Sequence, residues 1–171
     1  MENQVTFRLL EKKDLPLLHK WLNNSYMKPY YQPNPISLEE VIIKYSPRIE
    51  GSAAIFCHLA LLEQQPFGKI QCYKNSDWTD YASEINLFDG ISVDYFIGEP
   101  SHLRLGLGKQ MLDKYIQNIV FKLFAAENKC YICHDEANLG AIKCSQSAGF
   151  EFARNVIANN KPSKLYQKTK G

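Results

Sequence analysis

A glycine-containing loop in the second half of the chain has the composition of an anion site. It runs Leu103-Arg104-Leu105-Gly106-Leu107-Gly108-Lys109, after an apolar run at 91–97 and before a helix-like segment that starts at 110. Backbone N–H groups at a helix start bind phosphate, and glycine lets a ligand approach the backbone closely. We therefore predict that this loop binds a pyrophosphate, and with it a nucleotide-bearing cofactor.

The loop has an alternative explanation as a simple turn. Its spacing differs from the dinucleotide pattern Gly-x-Gly-x-x-Gly, and no Gly-Lys-Ser/Thr follows to make it a P-loop. Two glycines that ease a strand into a helix would account for the same residues. A segment some thirty residues downstream, at 138–150, favours a cofactor loop over a simple turn.

Composition excludes several classes of protein. The chain has 171 residues and a formal net charge of +2, which is too small to suggest nucleic acid as a partner. The first seven residues have neither the basic nor the apolar region of a signal peptide, and no apolar run is long enough to span a membrane. We expect a cytoplasmic protein that binds neither nucleic acid nor membrane.

The five cysteines include one Cys-x-x-Cys pair, Cys130 and Cys133. Such a pair could be half of a zinc site or a redox centre. On a strand, however, residues three apart point to opposite faces and cannot share one metal ion. We predict two core residues and no metal.

The apolar patterns predict a mixed α/β domain. We expect strands at 5–10, 53–62, 67–73, 91–97 and 130–134, another from 149 and a last one at 164–167; we expect helices at 12–23, 37–45, 110–124 and 137–148. Residues 75–90 are predicted to form a loop. A meander that continues as β-α-β-α favours a mixed sheet over a doubly wound parallel one. No linker interrupts the pattern, so residues 1–171 are predicted to form a single domain.

Three stretches carry a family resemblance. The chain opens with Val5-Thr6-Phe7-Arg8-Leu9-Leu10 and Trp21-Leu22-Asn23, continues with Gly106-Leu107-Gly108, and then has Asn138-Leu139-Gly140-Ala141-Ile142 before Ala148-Gly149-Phe150. In this order they resemble the GNAT superfamily of acetyl-CoA-dependent N-acetyltransferases. Within it, the bacterial aminoglycoside 6'-N-acetyltransferases look most similar.

The resemblance implies a GNAT-like fold with a central mixed sheet of about seven strands, and acetyl-CoA as cosubstrate. It assigns the loop at 103–109 to the coenzyme pyrophosphate. It assigns the strand backbone at Phe96 and Ile97, just past Asp94, to the pantetheine arm. Asn138 would contact the same arm; a helix N-cap is a second role that it could fill at the same time.

Asp94 and Ser145 are the candidate catalytic residues. Acetyl transfer needs a group that takes the amine proton and one that protonates the leaving thiolate. The resemblance makes Asp94 the general base and amine anchor, and a carboxylate within a core strand is costly unless it is used. A structural Asp bonded to backbone amides is the alternative. Ser145 stands where the family has a tyrosine as general acid, so its hydroxyl would need a water to reach the thiolate.

The segment between Lys74 and Arg104 contains six acidic residues and no Lys or Arg. The six are Asp77, Asp80, Glu84, Asp89, Asp94 and Glu99. Such a segment attracts polycations, and aminoglycosides carry several ammonium groups. A solvated loop is the alternative.

Further substrate contacts follow from the resemblance. Asp80 matches an acidic substrate contact of the family, and Tyr30 and Tyr31 match an aromatic pair that flanks the substrate. Trp78 could pack on a sugar ring, although ordinary hydrophobic packing explains each aromatic residue equally well. The family's second substrate carboxylate falls on a cysteine here, with Asp135 two residues further on.

The sequence leaves three functions open. The first is an aminoglycoside 6'-N-acetyltransferase with a small polycationic amine as substrate. The second is an N-acyltransferase for another amine, such as a siderophore hydroxylysine, a lysine-like metabolite or a protein N-terminus. The third is a coenzyme-binding module without catalysis. The same fold serves all of them, so the fold does not decide between them.

Overall fold

A seven-stranded mixed sheet, in the order β1-β2-β3-β4-β5-β7-β6, organises the computed structural model, which describes residues 4–171. The strands are β1 (Val5–Leu9), β2 (Phe56–Leu62), β3 (Gln65–Lys74), β4 (Ile91–Ile97), β5 (Lys129–Asp135), β6 (Glu151–Ala158) and β7 (Lys161–Thr169). This confirms the predicted mixed sheet. Residues 1–3, with that part of the prediction about the N-terminus, lie outside the described residues.

Six helices are described in residues 4–171. They are α1 (Leu15–Leu22), α2 (Leu38–Glu50), α3 (Thr79–Ile85), α4 (Leu107–Tyr115), α5 (Phe121–Leu123) and α6 (Leu139–Ser147). A π-helical turn at Ile116–Val120 joins α4 to α5. None of the described helices has the length and apolar character needed to cross a membrane.

The two faces of the sheet bury different helices, because alternate strand residues point to opposite sides. On one face, Met111 and Leu112 of α4 pack with Ile70 and Val93. On the other face, α1 and α2 pack over the neighbouring residues of the same strands, with Phe96 in that cluster. Thus β3 and β4 present one set of side chains to α4 and the alternate set to α2.

The N-terminus of α2 has the predicted capping box. The Ser37 hydroxyl accepts from the Glu40 amide at 3.1 Å, and the Glu40 carboxylate accepts from the Ser37 amide at 2.7 Å. The predicted end near residue 45 is wrong, since the helix passes Pro47 and ends before Gly51 in the left-handed region (φ 81°). The added turn carries Arg48.

Residues 75–90 do not form the predicted loop throughout. A 3₁₀ turn at Asn75–Asp77 leads into α3, and Ile85 of this helix is buried with Tyr131 and Leu165. Its single apolar contact face is too short to stand out as a periodic pattern.

The parallel pairing of β4 and β5 is short. The two strands pair at Ile91 with Cys130 and at Ser92 with Tyr131. Beyond Ser92, β5 continues beside β7 while β4 continues beside β3. The sheet therefore opens between the second halves of β4 and β5, which leaves one backbone edge of β4 without a strand partner from Val93 onward.

Candidate active site

A cavity of about 540 Å³ lies at this opening on the α2 side of the sheet. Its walls come from the loop after α1, from α2, from β3 and β4, from the end of β5 and from the β6–β7 turn. Asp94 lies in its floor. The cavity therefore gathers side chains from parts of the chain that are far apart in sequence.

Asp94 is half-buried on β4, directly opposite Gln71 on β3. The Gln71 Nε2 donates to Asp94 Oδ2 at 3.2 Å. Asp94 lines the cavity, so its carboxylate is within reach of an amine bound there. No backbone amide among the described residues donates a hydrogen bond to the Asp94 side chain, so the alternative of a purely structural Asp is not supported.

Gln71 is the centre of a polar cluster that the sequence analysis missed. Its Oε1 accepts from Arg48 Nη1 at 2.8 Å, from Lys69 Nζ at 2.8 Å and from the Cys57 thiol at 3.3 Å. Because two cations hold the oxygen, the amide nitrogen must point toward Asp94. Polar residues at alternate positions 69 and 71 of an otherwise apolar strand were the available signal.

Tyr30 and Tyr31 both line the cavity, as the predicted substrate contacts would. The Tyr30 hydroxyl donates to the Ala137 carbonyl at 3.1 Å, which ties the loop after α1 to the start of α6. The Tyr31 ring lies edge-on to Phe96, with ring centroids 5.9 Å apart. Both residues are about two-fifths exposed, 40% and 39%, and so keep free surface for a ligand.

Trp78 and Asp80 are not among the residues that line this cavity. The Trp78 indole donates to the Ala54 carbonyl at 3.3 Å and its ring packs on Tyr73. Asp80 is exposed in the first turn of α3. The residue of this helix that reaches the cavity is Tyr81. The geometry thus gives the predicted substrate roles of Trp78 and Asp80 no support.

The acidic segment between Lys74 and Arg104 does not gather its carboxylates at the cavity. Of the six acids at 77–99, Asp94 is the one that lines the cavity. Asp89 accepts from the Tyr131 hydroxyl and Glu99 from the Trp21 indole. Acids close in sequence diverge here because a turn, a helix and a strand carry them in different directions.

Asp135 does line the cavity, at the end of β5. Its Oδ2 lies 3.8 Å from Lys161 Nζ, and its Oδ1 accepts a hydrogen bond from the Ala137 amide at 2.9 Å. The cavity wall therefore has two carboxylates, Asp94 and Asp135, and four cationic side chains: Lys44, Arg48, Lys69 and Lys161. Its charge is more positive than the sequence analysis expected.

The predicted pyrophosphate loop leads directly into α4. Gly106 is the N-cap of the helix, with φ 75°, and no side chain caps the helix amides. A Cβ at Gly106 would meet nothing within 4 Å, and Arg104 and Lys109 are exposed nearby. Uncapped amides, an open approach and two cations fit a phosphate-bearing ligand.

Gly108 has a different role from the one expected. A Cβ there would lie 2.8 Å from the Cys144 sulfur, so the missing side chain makes room for α6 rather than for a ligand. Leu107 is buried beside it, whereas Leu105 is 63% exposed. The part of the loop that faces solvent is thus 104–106, together with Lys109.

Asn138 caps α6, because its side-chain oxygen accepts from the Ala141 amide at 3.3 Å. It lies between the end of β5 and the start of α6. Phe96 and Ile97 lie on the stretch of β4 that has no partner on its β5 side. A coenzyme arm extended along that edge would find free backbone groups.

Ser145 is fully buried, and its hydroxyl lies 2.6 Å from His134 Nε2. The hydroxyl therefore lies in the protein interior and does not line the cavity. The structure gives no support to contact between the Ser145 hydroxyl and a leaving thiolate, either directly or through a water. His134 lines the cavity instead, and burial lowers its pKa to about 4. The sequence pattern did not indicate a role for His134, which lies next to the last residue of the short strand β5.

Cys130 and Cys133 lie on opposite faces of the sheet, as predicted for residues three apart on a strand. Cys130 is buried on the α4 face, while Cys133 packs with the cluster on the opposite face. Both are free thiols. Among residues 4–171, no group of three or more His, Cys, Asp or Glu side chains is arranged to hold a metal ion.

A family model described as an acetyltransferase (GNAT) domain matches residues 11–157. The chain belongs to the GNAT acetyltransferase family. The resemblance recognised in the sequence is thereby confirmed, and the sheet that opens between β4 and β5 is the family's scaffold in this chain.

Two curated relatives are aminoglycoside N(6')-acetyltransferases type 1, from Klebsiella pneumoniae and Serratia marcescens. Each is 29% identical to this chain over 167 residues, which covers 94% of this chain and 81% of the relative. Among solved structures, AAC(6')-Ib in complex with paromomycin and acetyl-CoA superposes with a TM-score of 0.83 at 25% identity, covering 98% of this chain and 94% of that one.

A second structural neighbour is similar in fold alone. The spermidine N-acetyltransferase from Vibrio cholerae, in complex with CoA and spermine, superposes with a TM-score of 0.75 at 19% identity. The alignment covers 97% of this chain and 95% of that one.

Proposed function

We propose that this chain transfers the acetyl group of acetyl-CoA to a primary amine, and that the 6'-amine of an aminoglycoside is an acceptor. The observation that carries the proposal is Asp94, a carboxylate in the cavity where β4 and β5 part. Family membership supplies the reaction, and the aminoglycoside acetyltransferases among its relatives supply the acceptor.

In this proposal, the free amides at the start of α4 and the side chains of Arg104 and Lys109 hold the coenzyme pyrophosphate. The unpaired edge of β4 at Phe96 and Ile97 pairs with the pantetheine arm, beside Asn138. These elements place the thioester at the opening, next to the cavity.

The amine enters from the α2 side, between Tyr30, Tyr31 and Asp94. An ammonium group is not a nucleophile, so Asp94 first takes a proton from it; the amine nitrogen then bonds to the acetyl carbonyl carbon. The carbon–sulfur bond breaks and coenzyme A leaves as the thiolate, which takes up the second proton that the attacking nitrogen loses as the amide forms; the proton on Asp94 passes to solvent. General-base assistance of this kind contributes roughly a hundredfold or more to the rate.

The test is acetyl transfer by purified protein, with the acetylated amine detected by mass spectrometry. We expect acetyl-kanamycin in the presence of acetyl-CoA, and a susceptible host that expresses the protein should gain resistance to kanamycin or tobramycin. A drug with a hydroxyl in place of the 6'-amine serves as the control and should gain no protection. Acetylation of other amines without any of kanamycin would favour the second enzyme hypothesis.

A further inference from the structure

Two cations converge in the cavity close to the candidate base. Lys69 Nζ and Arg48 Nη1 each lie 2.8 Å from the same oxygen, Gln71 Oε1, so they are at most twice that distance apart. Lys69 is only 5% exposed. Within residues 4–171, neither cation has a carboxylate within 4.0 Å.

A buried cation without an opposite charge is costly, and a single neutral amide oxygen compensates for only part of that cost. The Tyr45 ring lies 4.9 Å from Arg48 and 5.4 Å from Lys69, which adds cation–π attraction but no negative charge. Both cations line the cavity, and Lys44 of the same helix does so as well. The pair is therefore arranged to receive an anion from the cavity side.

We propose that Arg48 and Lys69 form an anion subsite in the acceptor cavity, and that the enzyme acetylates small amines that also carry a carboxylate. This inference rests on the proposed acetyl transfer. One side-chain amide, that of Gln71, separates the cations from Asp94. An acceptor with its amine at Asp94 and its carboxylate at the cations therefore needs only a short aliphatic chain between the two groups.

The subsite should also weaken the binding of aminoglycosides, because cations that attract a carboxylate repel ammonium groups. Loss of Arg48 should thus change the two acceptor classes in opposite directions. A residue that merely holds Gln71 and Asp94 in place would lower the rates for both classes together.

The experiment compares 5-aminopentanoate with 5-aminopentanamide, acceptors of equal length that differ in the negative charge. We expect kcat/KM to be about tenfold or more higher for the acid, because hydrogen bonds from cations to a carboxylate are stronger than those to a neutral amide. In Arg48→Gln this preference should fall to near unity while kcat/KM for kanamycin rises. Lys69→Met should act in the same direction. The Lys114→Gln variant at a half-buried position of α4, which removes one positive charge outside the cavity, should leave both values unchanged.

A second readout does not depend on turnover. Equilibrium binding of 5-aminopentanoate in the presence of coenzyme A should be tighter than that of the amide, and Arg48→Gln should abolish the difference. Equal binding and equal rates for acid and amide would overturn the subsite while leaving acetyl transfer intact. Charge-dependent binding without acetylation of any amine would support the subsite and overturn the proposed function.

Discussion

Gln71 joins the candidate base to a pair of cations: its Nε2 donates to Asp94 at 3.2 Å, and its Oε1 accepts from Arg48 and Lys69. The amide can take only one orientation, because the opposite one would turn its N–H groups toward the cations. One oxygen of the Asp94 carboxylate, Oδ2, is thus held by the Gln71 amide.

Asp94→Asn keeps the shape of this side chain but removes its basicity. We expect kcat to fall roughly a hundredfold or more at neutral pH, the usual scale for loss of a general base. Steady-state rates with kanamycin measure the effect, and coenzyme A affinity serves as the control, since it should not change. A near-normal rate would show that Asp94 has a structural role.

Gln71→Met should remove the donor to Asp94 without adding a charge. We expect kcat to decrease about tenfold while coenzyme affinity stays the same, because a bond that orients the base is lost. Gln71→Glu is the matched comparison: its carboxylate would neutralise the cations and repel Asp94. We expect it to be less active than Gln71→Met, and the reverse order would contradict the positioning role.

The coenzyme loop can be tested with a truncated donor. Arg104→Gln combined with Lys109→Gln should weaken acetyl-CoA binding about tenfold or more and leave turnover of acetyl-pantetheine, which lacks the pyrophosphate, unchanged. An equal loss with both donors would place the effect outside the phosphate site.

Gly108 tests the packing of α4 against α6. Gly108→Ala should destabilise the fold by about 1–3 kcal/mol, because the new methyl group would lie 2.8 Å from the Cys144 sulfur. Adding Cys144→Ala should restore most of that loss in urea unfolding. If the double variant is no more stable than the single one, Gly108 is required for another reason.

The stability of the protein should depend on two buried histidines. Burial lowers the pKa of His58 and of His134 to about 4, below the ordinary value of 6.5. Between these values the unfolded chain binds protons that the folded chain does not, so stability is complete above pH 6.5 and decreases as the pH falls toward 4. Each contributes on the order of a few kcal/mol to this decrease. Urea unfolding at pH 7.5 and 5 should show it, and His134→Gln should flatten the dependence.

Much of the fold was predictable, because segments such as β4 and α4 have apolar residues at the positions that must be buried in a strand or on one face of a helix. The loop at 103–109 leads into α4 and Asp94 lines the cavity, which agrees with their predicted places, while their chemical roles stay predictions. His134 and Gln71 were not predictable, because their importance depends on neighbours from other strands and from α2. The acidic segment did not predict the charge of the cavity for the same reason. Residues that are close in sequence can point in different directions, and Asp80 on α3 does not line the cavity.

Arg48 lies in a part of the chain that is separate from the proposed coenzyme contacts, and this separation affects how acceptor specificity can evolve. The arginine lies on α2, a surface helix outside the sheet, whereas the coenzyme contacts proposed for the 103–109 loop and Asn138 come from the second half of the chain. Substitutions on α2 could therefore alter which amines are accepted without affecting coenzyme binding. A library varied only at the exposed and half-buried positions of this helix should yield enzymes with new acceptors and the original affinity for the donor.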